Sequence, residues 1–222
     1  MKLSIVIPIL NEQMLLPDLL SHLQPFIENG CNVIFVDGGS QDDSVEFLEL
    51  SHFKVLHSAE GRARQMNLGA AHASGDVVIF LHADTRLPVD ALLAIDACLH
   101  QGRYDWGRFD VTIAGRSNML KMVAFMMNLR SRLTGIATGD QAIFIRRSLF
   151  YRVGGFPDQP LMEDIELCRR LKPLSPACLR QRVVTSGRRW ETQGVWRTIF
   201  LMWRLRWNYW RGVAIEKIAA KY

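Results

Sequence analysis

The chain has 222 residues, a formal net charge of +5 and 49% hydrophobic residues. This length and composition fit one globular domain with an extension, and they exclude a disordered chain. No uncharged apolar run approaches the roughly 18 residues that a spanning helix needs, so we expect no unaided crossing of a membrane.

Cysteine usage and the amino terminus favour a cytoplasmic protein. The four cysteines form no C-x-x-C pair, which argues against a zinc site and against a disulfide framework. Lys2 leads directly into a strand with no cleavage site after it, so the first residues do not resemble a signal peptide.

The positive charge is concentrated near the carboxyl end. Residues 1–178 contain 17 basic and 20 acidic side chains, whereas residues 179–222 contain 10 basic and 2 acidic ones. We therefore expect the last segment to face something anionic, namely phosphates, a membrane surface or nucleic acid.

The first hundred residues alternate short apolar strands with helices. Strands are predicted at 3–9, 33–37, 53–57 and 77–84. Four helices are predicted: the first runs from residue 11 or 12 to about 30, the second follows an N-cap at Ser40, and the others span 61–73 and 88–99. This βαβαβαβα order predicts an α/β fold with a Rossmann-like, mostly parallel sheet and helices on both faces.

The pattern changes after residue 102. Strands are predicted at 106–113 and 141–146, and helices at 118–133, 161–171 and 195–222. We therefore divide residues 1–190 into a first half at 1–100 and a mixed second half at 101–190, followed by a basic, aromatic helical extension at 191–222.

Two of the predicted strands run directly into an acid, Asp37 and Asp84. In an open α/β sheet, ligands bind in the crevice outside the carboxyl ends of the strands. An acid placed there is costly to desolvate unless it has a hydrogen-bond donor or a cation as its partner. The sequence therefore predicts one site in which Asp37 reads a polar ligand and Asp84 holds a metal ion.

Three segments in this order resemble the family 2 glycosyltransferases of the GT-A fold: 4–12 (SIVIPILNE), 36–44 (VDGGSQDDS) and 75–85 (GDVVIFLHADT). The resemblance covers about residues 3–172, and the His-Ala-Asp-Thr variant is typical of a bacterial subgroup. It implies transfer of a sugar, with inversion, from a nucleoside diphosphate sugar to an unidentified hydroxyl acceptor that could be lipid-linked. A UDP-sugar is the favoured donor, and Mn²⁺ or Mg²⁺ is the implied cofactor.

The resemblance also implies a donor-binding set. Its members are Pro8, Asn11, Glu12, Asp37, Gly38, Gly39, Ser40, Arg64, Asn67, His82, Ala83, Asp84 and Arg189. Asp37 would accept a hydrogen bond from N3–H of a uracil-like base, and Arg64 would contact the diphosphate or the base. For Glu12 a place in the first helical turn is an equally good interpretation, and for Arg62 a solvated helix face.

Asp84 is the implied metal ligand, since the family generally has a D-x-D motif here whose final acid binds the ion on the diphosphate. A hard divalent cation prefers oxygen ligands. In this chain His82 replaces the first acid. Its imidazole could bind ribose or the metal, or it could be a histidine of the core with a local hydrogen bond.

Glu163 and Asp164 resemble the acid pair that supplies the base in inverting members, with Asp164 as the catalytic base and Glu163 as its neighbour. The alternative is an acidic first helical turn.

Residues 139–141 resemble an acceptor-side loop, although a plain turn fits them as well. Residues 188–190 resemble the R-W end of a Q-x-x-R-W motif, but Ser186 replaces the glutamine, which argues against processive synthesis; Arg189 beside the diphosphate and Arg189 in a solvated loop both remain open.

The last helix carries aromatic residues on one face with arginines beside them. The aromatic residues are Trp196, Phe200, Trp203, Trp207 and Trp210. An ordinary terminal helix packed on the domain, or a contact in a homo-oligomer, is the first interpretation, and peripheral binding to the inner face of the membrane is the second. No nucleic acid partner is expected, because no recognition module is present.

Two rival functions remain at this point. A nucleotidyltransferase would require a glycine-rich basic loop after the first strand, where this chain has Asn11 and Glu12. A non-catalytic module that binds nucleotides or membranes would tolerate the loss of Asp164.

Overall fold

The computed structural model describes residues 1–221, and in them it forms one eight-stranded sheet. The strands are β1 (Leu3–Ile9), β2 (Asn32–Asp37), β3 (Val55–His57), β4 (Val77–Phe80), β5 (Thr85–Arg86), β6 (Trp106–Ala114), β7 (Phe144–Arg146) and β8 (Ala177–Ser186). Their order is β3-β2-β1-β4-β7-β6-β8-β5. The first four are mutually parallel, as predicted, and the α/β class is confirmed.

Helices cover both faces of this sheet. They are α1 (Leu16–Glu28), α2 (Ser44–Leu50), α3 (Arg62–His72), α4 (Ala91–His100), α5 (Asn118–Thr134), α6 (Arg147–Arg152), α7 (Glu163–Arg170), α8 (Arg188–Gln193), α9 (Val195–Trp210) and α10 (Ile215–Ala219). Alternation along β1 divides the core, because Ile5 and Ile7 pack with α1 and α4 on one face whereas Val6 packs with α3 on the other. Burial on both faces explains why β1 is an almost continuous apolar run.

The second half of the sheet is mixed. β7 is antiparallel to both β4 and β6, and β8 runs parallel to β6 with a register shift between Phe109 and Asp110. At this shift the fully buried Arg108 forms an ion pair with Asp110, whose other oxygen lies 2.7 Å from Nη2 of Arg132. A buried charge requires such partners.

Two sequence-based expectations about helix ends were wrong. Ser40 is not the N-cap of α2, because that helix begins only at Ser44; the Ser40 hydroxyl instead accepts a hydrogen bond from the Asn11 N–H at 2.9 Å. The terminal helix is also not continuous from 195 to 222. α9 ends at Trp210, since the chain turns at Gly212 with φ +75° before α10 begins, and residue 222 lies outside the described residues.

One long element was not predicted. β8 carries Arg180 and Arg182 at exposed positions, and these charges interrupt the apolar pattern by which strands are recognised. It pairs along nearly its whole length with β6 and at its end with β5, so it brings residues 184–186 to the sheet edge beside Asp84.

Candidate active site

A cleft of about 250 Å³ opens where the strand order reverses, between the carboxyl ends of β1 and β4. Ligands bind at such switch points in open α/β sheets. The first half of the chain contributes Pro8, Glu12, Arg62, His82, Ala83 and Asp84 to the cleft; the second half and α9 contribute Gly139, Asp140, Glu163, Asp164, Arg189 and Arg206. The structure therefore brings Asp84 and the acid pair 163–164 into one cavity.

Asp164 is fixed at the start of α7. Its Oδ2 accepts a hydrogen bond from the Gly139 N–H at 3.0 Å, and its Oδ1 accepts one from the Ile165 N–H at 2.7 Å. The preceding residue but one, Met162, has φ +63°, a left-handed conformation that is costly for a residue with a side chain. The helix therefore begins abruptly, with both acids at the cleft.

Glu163 is only 6% exposed. Burial, together with the neighbouring charge of Asp164, raises its pKa above the ordinary value. Glu12 likewise has a raised pKa, mainly because of burial, with Asp84 adding to the shift while Arg188 opposes it. Nη2 of Arg188 lies 3.8 Å from Oε2 of Glu12. Two carboxyl groups of the cleft, those of Glu12 and Glu163, are thus easier to protonate than usual.

His82 faces the turn 139–141. Its Nδ1 lies 3.6 Å from Oδ1 of Asp140, and a β-carbon at Gly139 would collide with its ring. Burial alone would raise the pKa of Asp140. The interaction with His82 and the positive charges of Arg62 and Arg206 outweigh burial, so the net shift of the pKa is downward. The turn 139–141 therefore packs directly against His82, in the segment between β4 and Asp84.

The predicted residues around the end of β2 form a separate loop cluster that does not line this cleft. Asp37 accepts hydrogen bonds from the N–H groups of Gly39 (2.9 Å) and Ser40 (3.0 Å), and these bonds outweigh burial and lower its pKa. The Asn11 Oδ1 accepts a bond from the Gln41 N–H at 2.7 Å. Asp37 is thus held by its own turn at the carboxyl end of β2.

Gln65 is a residue that sequence reasoning missed. Its buried side-chain nitrogen donates to the carbonyls of Ile9 and Val36, each at 2.8 Å, and so ties together the ends of β1 and β2. A β-carbon at Gly38 would lie 2.9 Å from that nitrogen, which explains the glycine there. A glutamine within a helix gives no local signal of this role.

Arg64 and Asn67 differ from their expected positions. Arg64 is exposed, and its Nε lies 2.7 Å from Oδ1 of Asp158. Asn67 donates to the Phe156 carbonyl and accepts from its N–H, at 2.8 and 3.0 Å. Both residues fasten loop 156–158 to α3 and neither lines the cleft, whereas Arg62, two residues before Arg64, does.

The cleft fits a divalent ion held jointly with a ligand. Within residues 1–221, no group of three or more His, Cys, Asp or Glu side chains is arranged to hold a metal alone. Ions on nucleoside phosphates commonly take only one or two carboxylates from the protein and the remaining ligands from phosphate and water. Asp84, whose Oδ1 accepts a 3.3 Å hydrogen bond from Thr85, can supply such a carboxylate.

α9 has one face in the protein and one in solvent. Thr198 and Leu205 are buried, and Arg206 lines the cleft, while Trp196, Phe200, Trp203, Trp207 and Trp210 are 57–76% exposed. The helix packs on the domain, but its aromatic face does not. In the described part of the chain, no helix combines the length and apolar character needed to span a bilayer.

Comparison with known proteins gives the family. The family model described as glycosyl transferase family 2 matches residues 4–153. A curated relative, undecaprenyl-phosphate 4-deoxy-4-formamido-L-arabinose transferase of Pseudomonas savastanoi pv. phaseolicola, is 29% identical over 160 residues, which are 64% of this chain and 46% of the relative. The chain thus spans less than half the length of that relative.

Solved structures share the fold. TarS 1–349 of S. aureus superposes with a TM-score of 0.68 at 18% identity, over 84% of this chain and 61% of TarS 1–349. The mannosyltransferase PcManGT of Pyrobaculum calidifontis, solved with GDP-Man and Mn²⁺, gives 0.65 at 21% identity, over 92% of this chain and 60% of that one. Glucosyl-3-phosphoglycerate synthase of Mycobacterium tuberculosis, solved with Mn²⁺ and UDP-Glc, gives 0.59 at 19% identity, over 82% and 69%.

Proposed function

Because the chain belongs to glycosyl transferase family 2, we propose that it transfers a sugar from a nucleoside diphosphate sugar to a hydroxyl acceptor, with inversion at the anomeric carbon. The observation that supports this proposal is the shared cleft, in which Asp84 follows β4 and Asp164 begins α7. The transfer requires these two roles side by side, one for the leaving diphosphate and one for the incoming acceptor.

Asp164 serves as the general base in this proposal. It takes the proton of the acceptor hydroxyl while that oxygen attacks the anomeric carbon, and the bond to the diphosphate breaks on the opposite side. The two backbone N–H groups that hold its carboxylate keep it oriented. Glu163, with its raised pKa, adds less negative charge beside this base than an ordinary glutamate would.

Arg62 and Arg189 line the cleft and supply positive charge for the departing diphosphate. Mn²⁺ or Mg²⁺, held by Asp84, would neutralise the same leaving group when bound. At the other end of the donor, Asp37 would accept the N3–H of a uracil-like base, which favours a UDP-sugar. The GDP-sugar and UDP-sugar complexes of the structural neighbours support a donor of this general class.

A thermal-shift screen of UDP-, GDP- and dTDP-sugars with and without Mn²⁺ tests the donor assignment. A donor at about 100 times its Kd should stabilise the protein by roughly 2.7 kcal/mol. We expect one nucleotide family to do so in a Mn²⁺-dependent way, and Asp84→Asn to remove the dependence on Mn²⁺. The matched control is Asp43→Asn, an exposed acid outside the cleft. If a well-folded wild type is stabilised by none of these donors, the proposal fails.

We also propose that the aromatic face of α9 contacts an anionic membrane surface. Helices that lie on an anionic membrane surface combine tryptophans on one face with arginines beside them. α9 has exposed tryptophans and arginines in this arrangement. The curated relative is named for a membrane-lipid phosphate, which fits an acceptor at that surface. Co-sedimentation with vesicles containing phosphatidylglycerol should exceed that with phosphatidylcholine alone, and the double variant W203S/W207S should abolish the difference. Equal recovery with both vesicle types would contradict the proposal.

A further inference from the structure

Two partly buried arginines lie beside the cleft with no role in the donor chemistry above, Arg130 near the end of α5 and Arg206 in α9. The Nε and Nη2 atoms of Arg130 are shielded from solvent and donate to no group among residues 1–221. Leaving a buried guanidinium without hydrogen-bond partners is costly. These two donors are therefore not spent on the fold, and a ligand whose binding moved the side chain would satisfy them.

The two arginines are electrostatic neighbours. Burial and, next to it, the charge of Arg206 lower the pKa of Arg130 to about 10, while the charge of Asp164 opposes the shift. Burial also lowers the pKa of Arg206, against the charges of Asp164 and Asp140. Both remain cationic at neutral pH, so the protein holds two adjacent positive charges next to its proposed base.

The same pair forms the inner wall of a groove on the outer surface. Arg130 and Arg206 line it together with Phe200, Trp203, Arg204, Trp207 and Trp210. Arg206 also lines the active-site cleft, so its side chain separates the outer groove from the cavity that contains Asp164. An amphiphile lying in this groove would have its polar end at the arginines and its apolar part along the indole rings.

We propose, on the premise of the transferase function above, that Arg130 and Arg206 bind the phosphate of a lipid-linked acceptor that also carries the attacking hydroxyl, and that its apolar chain lies along the aromatic groove. Guanidinium groups bind phosphate through two parallel hydrogen bonds, and two of them match its double charge. The lining beyond them consists of four aromatic side chains and Arg204, and the rings fit a hydrocarbon chain better than a hydrated polar one.

Calorimetric titration with farnesyl phosphate, farnesol and inorganic phosphate tests this subsite. Farnesyl phosphate carries the phosphate and the apolar chain that this subsite would bind. Farnesol carries only the chain, and inorganic phosphate only the phosphate. We expect farnesyl phosphate to bind at least tenfold more tightly than either. Arg130→Gln and Arg206→Gln should each weaken its binding at least tenfold, whereas Arg197→Gln, on the exposed part of α9, should leave it unchanged.

Farnesol binding as tightly as farnesyl phosphate would overturn the proposal, as would inorganic phosphate doing so. If Arg130→Gln does not fold, as judged by circular dichroism, Arg130→Lys provides the test, because it keeps the charge but loses the paired hydrogen bonds; unchanged affinity in that variant would also overturn it. The donor thermal shift separates the two functions. Loss of farnesyl phosphate binding with the donor shift retained removes only the subsite, and the reverse result removes only the transferase proposal.

Discussion

The two halves of the sheet satisfy their polar groups in different ways. In the first half, Asp37 is held by the N–H groups two and three residues later, and Asn11 and Ser40 bond each other's loops at the ends of adjacent strands. In the second half, Arg108 joins β6 to α5 by donating to Ser131, and Asp110 joins them through Arg132. The Gly139 N–H reaches Asp164 across 25 positions. Asp37 is therefore held within its own turn, whereas Asp110 and Asp164 each depend on a partner from a distant element.

The largest expected effect tests whether the second half carries the chemistry. Asp164→Asn keeps the shape and the hydrogen-bond acceptor but removes the base, so the rate of sugar transfer should fall by about 10²–10⁴-fold. Asp158→Asn, an exposed acid paired with Arg64, is the control and should retain most activity. The measurement is kcat with the donor identified by thermal shift. A rate within threefold of wild type for Asp164→Asn would rule out the assigned role.

The next effect is on stability and tests whether the second half depends on its buried ion pairs. Arg108→Met leaves the partly buried Asp110 with only Arg132, so the free energy of unfolding should fall by about 3 kcal/mol. Urea denaturation measures it. Arg116→Met, at an exposed position, should change stability by less than about 0.5 kcal/mol. Equal values for the two variants would show that the pair contributes nothing.

A smaller effect compares two arginines of the first half. Arg62 lines the cleft and Arg64 binds Asp158, so Arg62→Gln should raise the donor KM about tenfold, equivalent to roughly 1.4 kcal/mol. Arg64→Gln should change it by no more than about twofold. Steady-state kinetics with the donor varied decides between them. The opposite ranking would restore Arg64 as the diphosphate contact that the motif implies.

The smallest effect concerns pH. Because the pKa of Glu163 is raised above its ordinary value of 4.5, the folded state binds more protons than the unfolded state between that value and the raised one. Its contribution therefore lowers the free energy of unfolding as pH rises through this window. Glu163→Gln removes the contribution, so the melting temperature of the variant minus that of wild type should increase from pH 4 to pH 7. A constant difference across this range would contradict the raised pKa.

The sequence predicted the parallel strands and the acid that ends β2, Asp37, because these signals are local: apolar runs followed by an acid and turn residues. It placed Asp84 at the end of a strand, but β4 ends four residues earlier, at Phe80. It did not predict β8, where Arg180 and Arg182 lie on exposed positions of a strand stabilised by β6. It also gave no sign that Gln65 ties two strand ends together or that Arg130 and Arg206 are neighbours. Those roles depend on the distance between side chains of separate helices, and periodicity within one helix does not report that distance.

The exposed aromatic face of α9 determines the tryptophan fluorescence spectrum of the protein. Four of the six tryptophans, at positions 196, 203, 207 and 210, are 57–76% exposed, while Trp106 is 1% exposed. Emission from the folded chain should therefore resemble that of indole in water, and unfolding should shift it little. Any contact that covers α9 should instead move the spectrum to shorter wavelengths, so the chain carries its own optical reporter for whatever binds that surface.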